Sequence, residues 1–79
     1  MPTIFRKGPY RIYFYSSDKV EPIHVHVERE DKVVKLWLNP VRVARNTGYS
    51  VKELRQIRRI IIKEIDRIEG AWYEFFGNN

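Results

Sequence analysis

The side chains best suited to chemistry are the two histidines, His24 and His26, which lie two residues apart in an alternating segment. On a β-strand they project from the same face, about 6.5–7 Å apart. That spacing lets both imidazoles chelate one ion, but zinc sites use three or four protein ligands. Glu28 points the same way yet lies about 13 Å along the strand from His24, and no other acid is placed as a third ligand. The sequence therefore predicts no metal and no other cofactor.

A metal-free reaction is a second interpretation of the same residues. One of His24 and His26 could remove the proton of a ribose 2′-hydroxyl, while the other protonates the leaving oxygen and Lys35 stabilises the phosphorane. In-line displacement requires acid and base on opposite sides, whereas these histidines share one face of one strand. Aromatic side chains near them would stack on unpaired bases, and these are Tyr13, Tyr15 and Trp37.

A simpler interpretation is a half-exposed sheet face without catalysis. His24 and Trp37 would form a cross-strand aromatic pair, which contributes about 0.2–1 kcal/mol. Together with Arg11, the aromatic residues have the composition of a protein–protein interface. Both interpretations place the imidazoles on the helix-free side of the sheet, next to Trp37 and Lys35.

The strands that carry these residues are predicted by their alternation. A hairpin closed on Glu30-Asp31 joins residues 23–29 to residues 32–38. One face then holds the apolar pairs Val27–Val34, Val25–Leu36 and Ile23–Leu38. The other face pairs His26 with Lys35 and His24 with Trp37. A one-residue slip would scramble both faces, so the pattern selects this register, although Glu30 suits a tight turn poorly.

A helix is predicted from about residue 51 to 75. Ser50 and Glu53 have the spacing of a capping box, and Tyr49 and Leu54 that of a hydrophobic staple. Gly70 is the position at which the helix would bend or end. At 100° per residue one stripe is apolar, formed by Leu54, Ile57, Ile61, Ile65, Ile68, Trp72 and Phe75. The roughly opposite side is basic, with Lys52, Arg55, Arg59 and Lys63.

Length and composition predict one small α+β domain spanning residues 1–79. Its antiparallel sheet of three to four strands, within residues 2–43, would carry the single long helix on one face; residues 41–47 could be a strand or a helical turn. Ile60 and Ile62 flank the apolar stripe, so we expect them to be covered either by a second chain, as in a homodimer, or by strand 1 or residues 41–47. The chain has no cysteine and no run long enough for a signal peptide or membrane span, so we expect a cytoplasmic protein.

The charge distribution fits either a solvated basic helix face or a surface that binds an acidic partner or a nucleic acid. The formal net charge is +5, and residues 42–67 hold eight basic residues against three acidic ones. Ala44 and Gly48 have the spacing of a helix-turn-helix. A DNA-binding or interaction module using Lys52, Arg55 and Arg59 is therefore the alternative function.

Several motifs also resemble one family over nearly the whole chain. They are Met1-Pro2-Thr3-Ile4, Gly8-Pro9-Tyr10-Arg11, Tyr13-Phe14-Tyr15, the block from Glu21 to Glu28 with its Pro-x-His-x-His core, Trp37-Leu38-Asn39-Pro40, Gly48-Tyr49-Ser50 and the segment from Ala71 to Gly77. On these the sequence resembles the small bacterial and archaeal proteins grouped as domain of unknown function 4160. A departure is Glu30, where relatives often have glycine.

The resemblance implies a genetic context rather than a reaction. Such genes commonly lie beside a second small family in pairs that look like toxin–antitoxin modules, which would make this chain the toxin-like member. We therefore expect a toxin-like protein that binds a small antitoxin-like protein encoded nearby and acts on RNA, with His24, His26 and Lys35 as catalytic candidates. The candidates for binding nucleic acid or the partner are Tyr13, Tyr15, Trp37, Arg42, Arg45, Lys52, Arg55, Arg59 and Lys63.

Overall fold

The computed structural model describes residues 3–77, which form one five-stranded sheet, two α-helices and a short 3-10 helix. The strands are β1 (Thr3–Lys7), β2 (Tyr10–Tyr13), β3 (His24–Arg29), β4 (Lys32–Leu38) and β5 (Val41–Thr47). The helices are the 3-10 helix (Ser16–Val20), α1 (Val51–Lys63) and α2 (Ile65–Phe76). The sheet order is β1-β2-β3-β4-β5, and each strand pairs antiparallel with the next. The α+β class is confirmed.

The predicted register of the central hairpin is confirmed. The pairs are Val27–Val34, Val25–Leu36, His26–Lys35 and His24–Trp37. The Leu38 amide donates to the Ile23 carbonyl at 3.3 Å, which continues the pairing past the start of β3. Glu30 in the turn has a φ of 56°, a left-handed conformation that is unfavourable for a residue with a Cβ.

The number of strands differs from the prediction, because residues 41–47 form a complete strand. β5 extends to Thr47 and pairs with β4 from Leu38–Val41 to Val33–Thr47, with one irregularity between Lys35 and Leu36. The segment that would have to form the first helix of a helix-turn-helix is therefore a strand, and the prediction of that motif is wrong.

The prediction of a single long helix is also wrong, because the helix is interrupted at Glu64 rather than at Gly70. Glu64 has φ −103° and ψ 19° and separates α1 from α2. The predicted N-cap is present: the Glu53 amide donates to the Ser50 hydroxyl at 3.2 Å. The Glu53 carboxylate accepts from Lys32 Nζ at 3.1 Å, so this side chain ties the helix start to β4.

The core lies between one face of the sheet and both helices. Val25, Leu36, Ile57, Ile61 and Ile68 are all buried there, and each such side chain contributes about 1.5–3 kcal/mol. The opposite face of β4 and β5 has no helix over it among residues 3–77, and it carries half-buried or exposed side chains. This is the face on which the predicted site lies.

Residues that flank the apolar stripe or lie at its C-terminal end are less buried than those at its centre. Ile60 is half-buried, whereas Ile62 and Phe75 remain exposed. Trp72, near the end of α2, packs against Phe14 and reaches His24. Within residues 3–77 no helix combines the length and the apolar character needed to cross a membrane.

Candidate functional site

Three side chains that can bind a proton or a metal converge where β3 begins. Asp18 comes from the 3-10 helix, while His24 and His26 come from β3. Asp18 Oδ2 lies 3.1 Å from His24 Nε2 and 3.1 Å from His26 Nε2. The loop between β2 and β3 thus folds its carboxylate back over the histidine pair.

His24 is fully buried, and the prediction that it stands out from the sheet is wrong. Its Nδ1 donates to the Pro22 carbonyl oxygen at 2.8 Å. The indoles of Trp37 and Trp72 each lie 5.5 Å from the imidazole, centroid to centroid. Trp72 arrives from α2, which covers an imidazole that the alternation had placed on an open face.

The second ring nitrogen of His24 is poorly satisfied. Nε2 is buried and has no hydrogen-bond partner among the described residues, because its 3.1 Å approach to Asp18 lacks hydrogen-bond geometry. Glu21 Oε1 lies 3.6 Å away. Buried polar atoms normally find a partner, so this nitrogen marks an unusual environment.

His26 is half-buried within an aromatic group on the same face. Its ring stacks on Tyr13 at 5.2 Å, and Tyr15 approaches edge-on at 4.9 Å. Burial lowers the pKa of His26, against the opposing influence of the Asp18 carboxylate. Burial also raises the pKa of the Tyr13 phenol. The ring of His26 therefore favours its neutral form.

Lys35 lies beside Trp37 as predicted, but it is ion-paired. Its Nζ contacts Glu21 Oε1 at 2.6 Å and lies 4.6 Å from the Trp37 ring centroid. The Lys35 hydrogen bond lowers the pKa of Glu21. Because Glu21 is largely exposed, this ion pair can exchange for another anion at small cost.

A groove of about 600 Å³ runs across this face. It brings together three of the predicted aromatic residues and two of the predicted cations. Its lining consists of Tyr13, Tyr15, His26, Val33, Lys35, Trp37, Ala44, Arg45 and Thr47. Arg45 extends from the exposed strand β5, so the far wall of the groove is basic.

The comparison with known families agrees with the resemblance. The model described as Domain of unknown function (DUF4160) matches residues 10–73. The chain belongs to this family. Neither a curated protein nor a solved structure gives a match. Every residue of the groove and of the histidine cluster in this DUF4160 protein lies within the matched range.

The remaining predicted residues lie outside the groove. Arg42 borders a smaller hollow of about 260 Å³, next to Pro22 and Asn39. The basic residues of α1 are exposed on the helix side of the DUF4160 fold, away from the groove. They are Lys52, Arg55, Arg59 and Lys63, and none of them has an ion pair within residues 3–77.

Asp18 is the site residue that sequence reasoning missed. The polar segment between β2 and β3 reads as a loop, and its only aspartate is not spaced as a ligand in the sequence. In the structure the Asp18 carboxylate accepts from the Tyr15 amide at 2.8 Å, which is the local hydrogen bonding typical of aspartate in a turn. That turn directs Asp18 towards the start of the next strand.

Proposed function

We propose that this DUF4160 protein binds single-stranded RNA in the groove on its helix-free sheet face, as the toxin-like member of a two-gene module. The observation that carries the proposal is the combination of aromatic rings and cations along one groove, with Tyr15 exposed and Trp37 half-buried. Proteins that bind unpaired nucleic acid use this combination, with rings for the bases and cations for the backbone.

The aromatic residues supply the base-binding part. Tyr15 is 41% exposed, and Trp37 is half-buried with Lys35 beside its ring. Stacking on one base contributes about 1–3 kcal/mol. Because stacking needs an unpaired base, these rings favour single strands over a duplex.

The cations supply the backbone-binding part. Arg45 is exposed and has no ion pair among the described residues, so its guanidinium is available to a phosphate. Lys35 can exchange Glu21 for phosphate. Binding through these groups releases counterions, and the affinity must therefore fall as salt rises.

The proposal is binding rather than cleavage. A general acid or base must come within hydrogen-bond reach of the proton that it transfers. The His24 ring has no exposed surface and is enclosed by Trp37 and Trp72. His26 lines the groove, but one imidazole does not make the two-histidine mechanism.

A second candidate is DNA binding through α1. The observation that favours it is the row of exposed, unpaired cations on that helix, within the described chain. Such a surface attracts duplex phosphates without needing stacking. Because α1 and the groove lie on opposite sides of the sheet, substitutions can separate the two functions.

The test measures fluorescence anisotropy with a labelled, unstructured oligoribonucleotide. Tyr15→Ala should weaken binding about 5- to 150-fold, the range that corresponds to loss of one stacked base. Arg45→Gln should weaken it too, and should lower the salt slope by about 0.7 for one lost phosphate contact. Tyr73→Ala and Arg58→Gln are matched controls, since both side chains are exposed on the helices.

Two results would reject the proposal. The first is wild-type affinity in both groove variants. The second is an equal loss in the groove and control variants, which would indicate a diffuse charge effect. A duplex-DNA affinity that depends on Lys52, Arg55 and Arg59, with no RNA affinity, would establish the α1 alternative.

A further inference from the structure

We propose that Asp18, His24 and His26 bind one divalent transition-metal ion, with two imidazole nitrogens and one carboxylate oxygen as ligands. The three donor atoms lie within 4.8 Å of one another. His26 belongs both to this site and to the RNA groove, whereas the groove residues Tyr15 and Arg45 contribute no ligand, so the two proposals can be tested separately.

The two distances from the carboxylate oxygen to the imidazole nitrogens suit a shared ion. Zinc bonds to nitrogen and oxygen are about 2.0–2.2 Å long, which places neighbouring ligand atoms about 3.0–3.5 Å apart. Asp18 Oδ2 lies 3.1 Å from both His24 Nε2 and His26 Nε2. The carboxylate oxygen is thus at ligand separation from each imidazole.

The hydrogen bond from His24 to Pro22 determines which ring nitrogen is protonated and which carries a free lone pair. A carbonyl oxygen only accepts, so Nδ1 must carry the proton that it donates to Pro22. Nε2 of the neutral ring is then an unprotonated lone pair. It is buried, has no hydrogen-bond partner in the described chain and lies 3.1 Å from Asp18 Oδ2.

Two electron-rich atoms held 3.1 Å apart in a buried place repel each other. A cation bound to both removes that repulsion. A proton on His24 would do so for this pair, and His26 Nε2 already shares a hydrogen bond with Asp18 Oδ2. A metal ion would replace both arrangements with bonds to all three donor atoms. The convergence of both imidazoles on one oxygen favours the metal.

The surroundings of His24 match those of a metal ligand. Histidine ligands commonly donate their other N–H to a backbone carbonyl, which fixes the tautomer and the ring orientation. The contact of His24 with Pro22 is of this kind, and Trp37 and Trp72 hold the ring from two sides. Little ordering is therefore left for the ion to impose.

The donor set selects the class of ion. Imidazole nitrogens suit zinc and other first-row transition metals, while magnesium and calcium prefer oxygen ligands. Glu21 Oε1, 3.6 Å from His24 Nε2, is placed to add a further oxygen. In the absence of a metal ion, the charge of that carboxylate is balanced by its ion pair with Lys35.

The first experiment titrates chelator-treated full-length protein with Zn²⁺ by calorimetry and with Co²⁺ by visible absorption. Wild type should bind one equivalent and show a higher Tm. Asp18→Asn, which retains an acceptor for the Tyr15 amide, should lose the binding, as should His26→Gln. Asp31→Asn removes an exposed carboxylate in a turn and should bind as wild type.

The second experiment follows the ring nitrogens by long-range ¹H–¹⁵N spectra, which avoids replacing the buried His24. Zn²⁺ should shift Nε2 of both histidines while His24 Nδ1 stays protonated. Absence of stoichiometric binding, wild-type binding in Asp18→Asn, or a proton on His24 Nε2 with Zn²⁺ present would overturn the proposal. Zinc binding that persists in Arg45→Gln would separate this result from the RNA test.

Discussion

At the scale of single residues, the chemistry of a side chain depends on which of its atoms are already satisfied. His24 uses Nδ1 for the Pro22 carbonyl and leaves Nε2 without a hydrogen bond, 3.1 Å from Asp18 Oδ2. Tyr49 is the opposite case, because its hydroxyl reaches the carbonyls of Val27 and Lys32 at 3.0 and 3.2 Å. The His24 ring thus has one nitrogen without a hydrogen bond, whereas the Tyr49 hydroxyl links β3 to β4.

Tyr49 gives a prediction for stability and its pH dependence. Tyr49→Phe should lower the free energy of unfolding at pH 7 by about 1–3 kcal/mol, because buried carbonyls lose their donor. Burial raises the pKa of Tyr49 from 10.0 to about 12. Between those values the unfolded chain releases the proton and the folded chain keeps it, so stability falls as pH rises.

The measurement is urea unfolding from pH 7 to 12. The advantage of wild type over Tyr49→Phe should be constant below pH 10 and shrink above it. Tyr73→Phe, on an exposed ring, should unfold as wild type at pH 7. A wild-type advantage that grows above pH 10 would contradict the assignment.

At the scale of elements, the sequence of the β3–β4 hairpin strongly favours the observed strand register but suits the observed turn poorly. Alternation sets the register, since a slip would move the apolar residues to the wrong face. Glu30, with a φ of 56°, is the one non-glycine residue of positive φ in the described chain. The strand pairing therefore maintains a turn conformation that this residue disfavours.

Glu30→Gly should stabilise the protein by about 1 kcal/mol, because glycine adopts this conformation without the Cβ penalty. Urea unfolding measures the change. Asp31→Gly is the matched control: Asp31 has no positive φ, so the glycine adds only unfolded-state entropy and should destabilise by about 0.5–1 kcal/mol. The same sign of change in both variants would refute this account of the turn.

At the scale of the whole molecule, the sheet has an open edge beside the groove. β5 is the last strand in the order, and its residues from Arg42 to Thr47 are all exposed. Such edges pair readily with a strand of another chain. The partner in the proposed module would be acidic, since it meets Arg42 and Arg45.

Val43→Lys tests this edge, because a lysine on an exposed edge strand opposes pairing. Val43 pairs with the core-facing Leu36, so it lies on the side away from the groove. Co-expression with the neighbouring gene product and affinity capture should recover less complex, while RNA binding stays at the wild-type level. Exposed Val51 on α1 provides the control Val51→Lys, and equal complex recovery in both variants would reject the β5 interface.

The local parts of the structure were accessible from the sequence because they rest on short-range periodicity. The alternation around His24 and Trp37 determined the hairpin pairs, and Ser50 determined where α1 begins. The interruption of the helix at Glu64 could not be predicted from the sequence, because neither glycine nor proline marks it. Likewise, the exposed strand β5 has little apolar pattern, as expected for an edge that buries few side chains.

What the sequence by itself determined is which residues share a face: His24, His26, Lys35 and Trp37 lie together because side chains alternate along paired strands. Only the tertiary structure decided that α2 brings Trp72 over His24, and that a loop returns Asp18 to both imidazoles. The contact of Trp72 with His24 joins residues far apart in the chain, while Asp18 is near both histidines in sequence and reaches them only through the way its loop folds back. No short-range pattern contains that information.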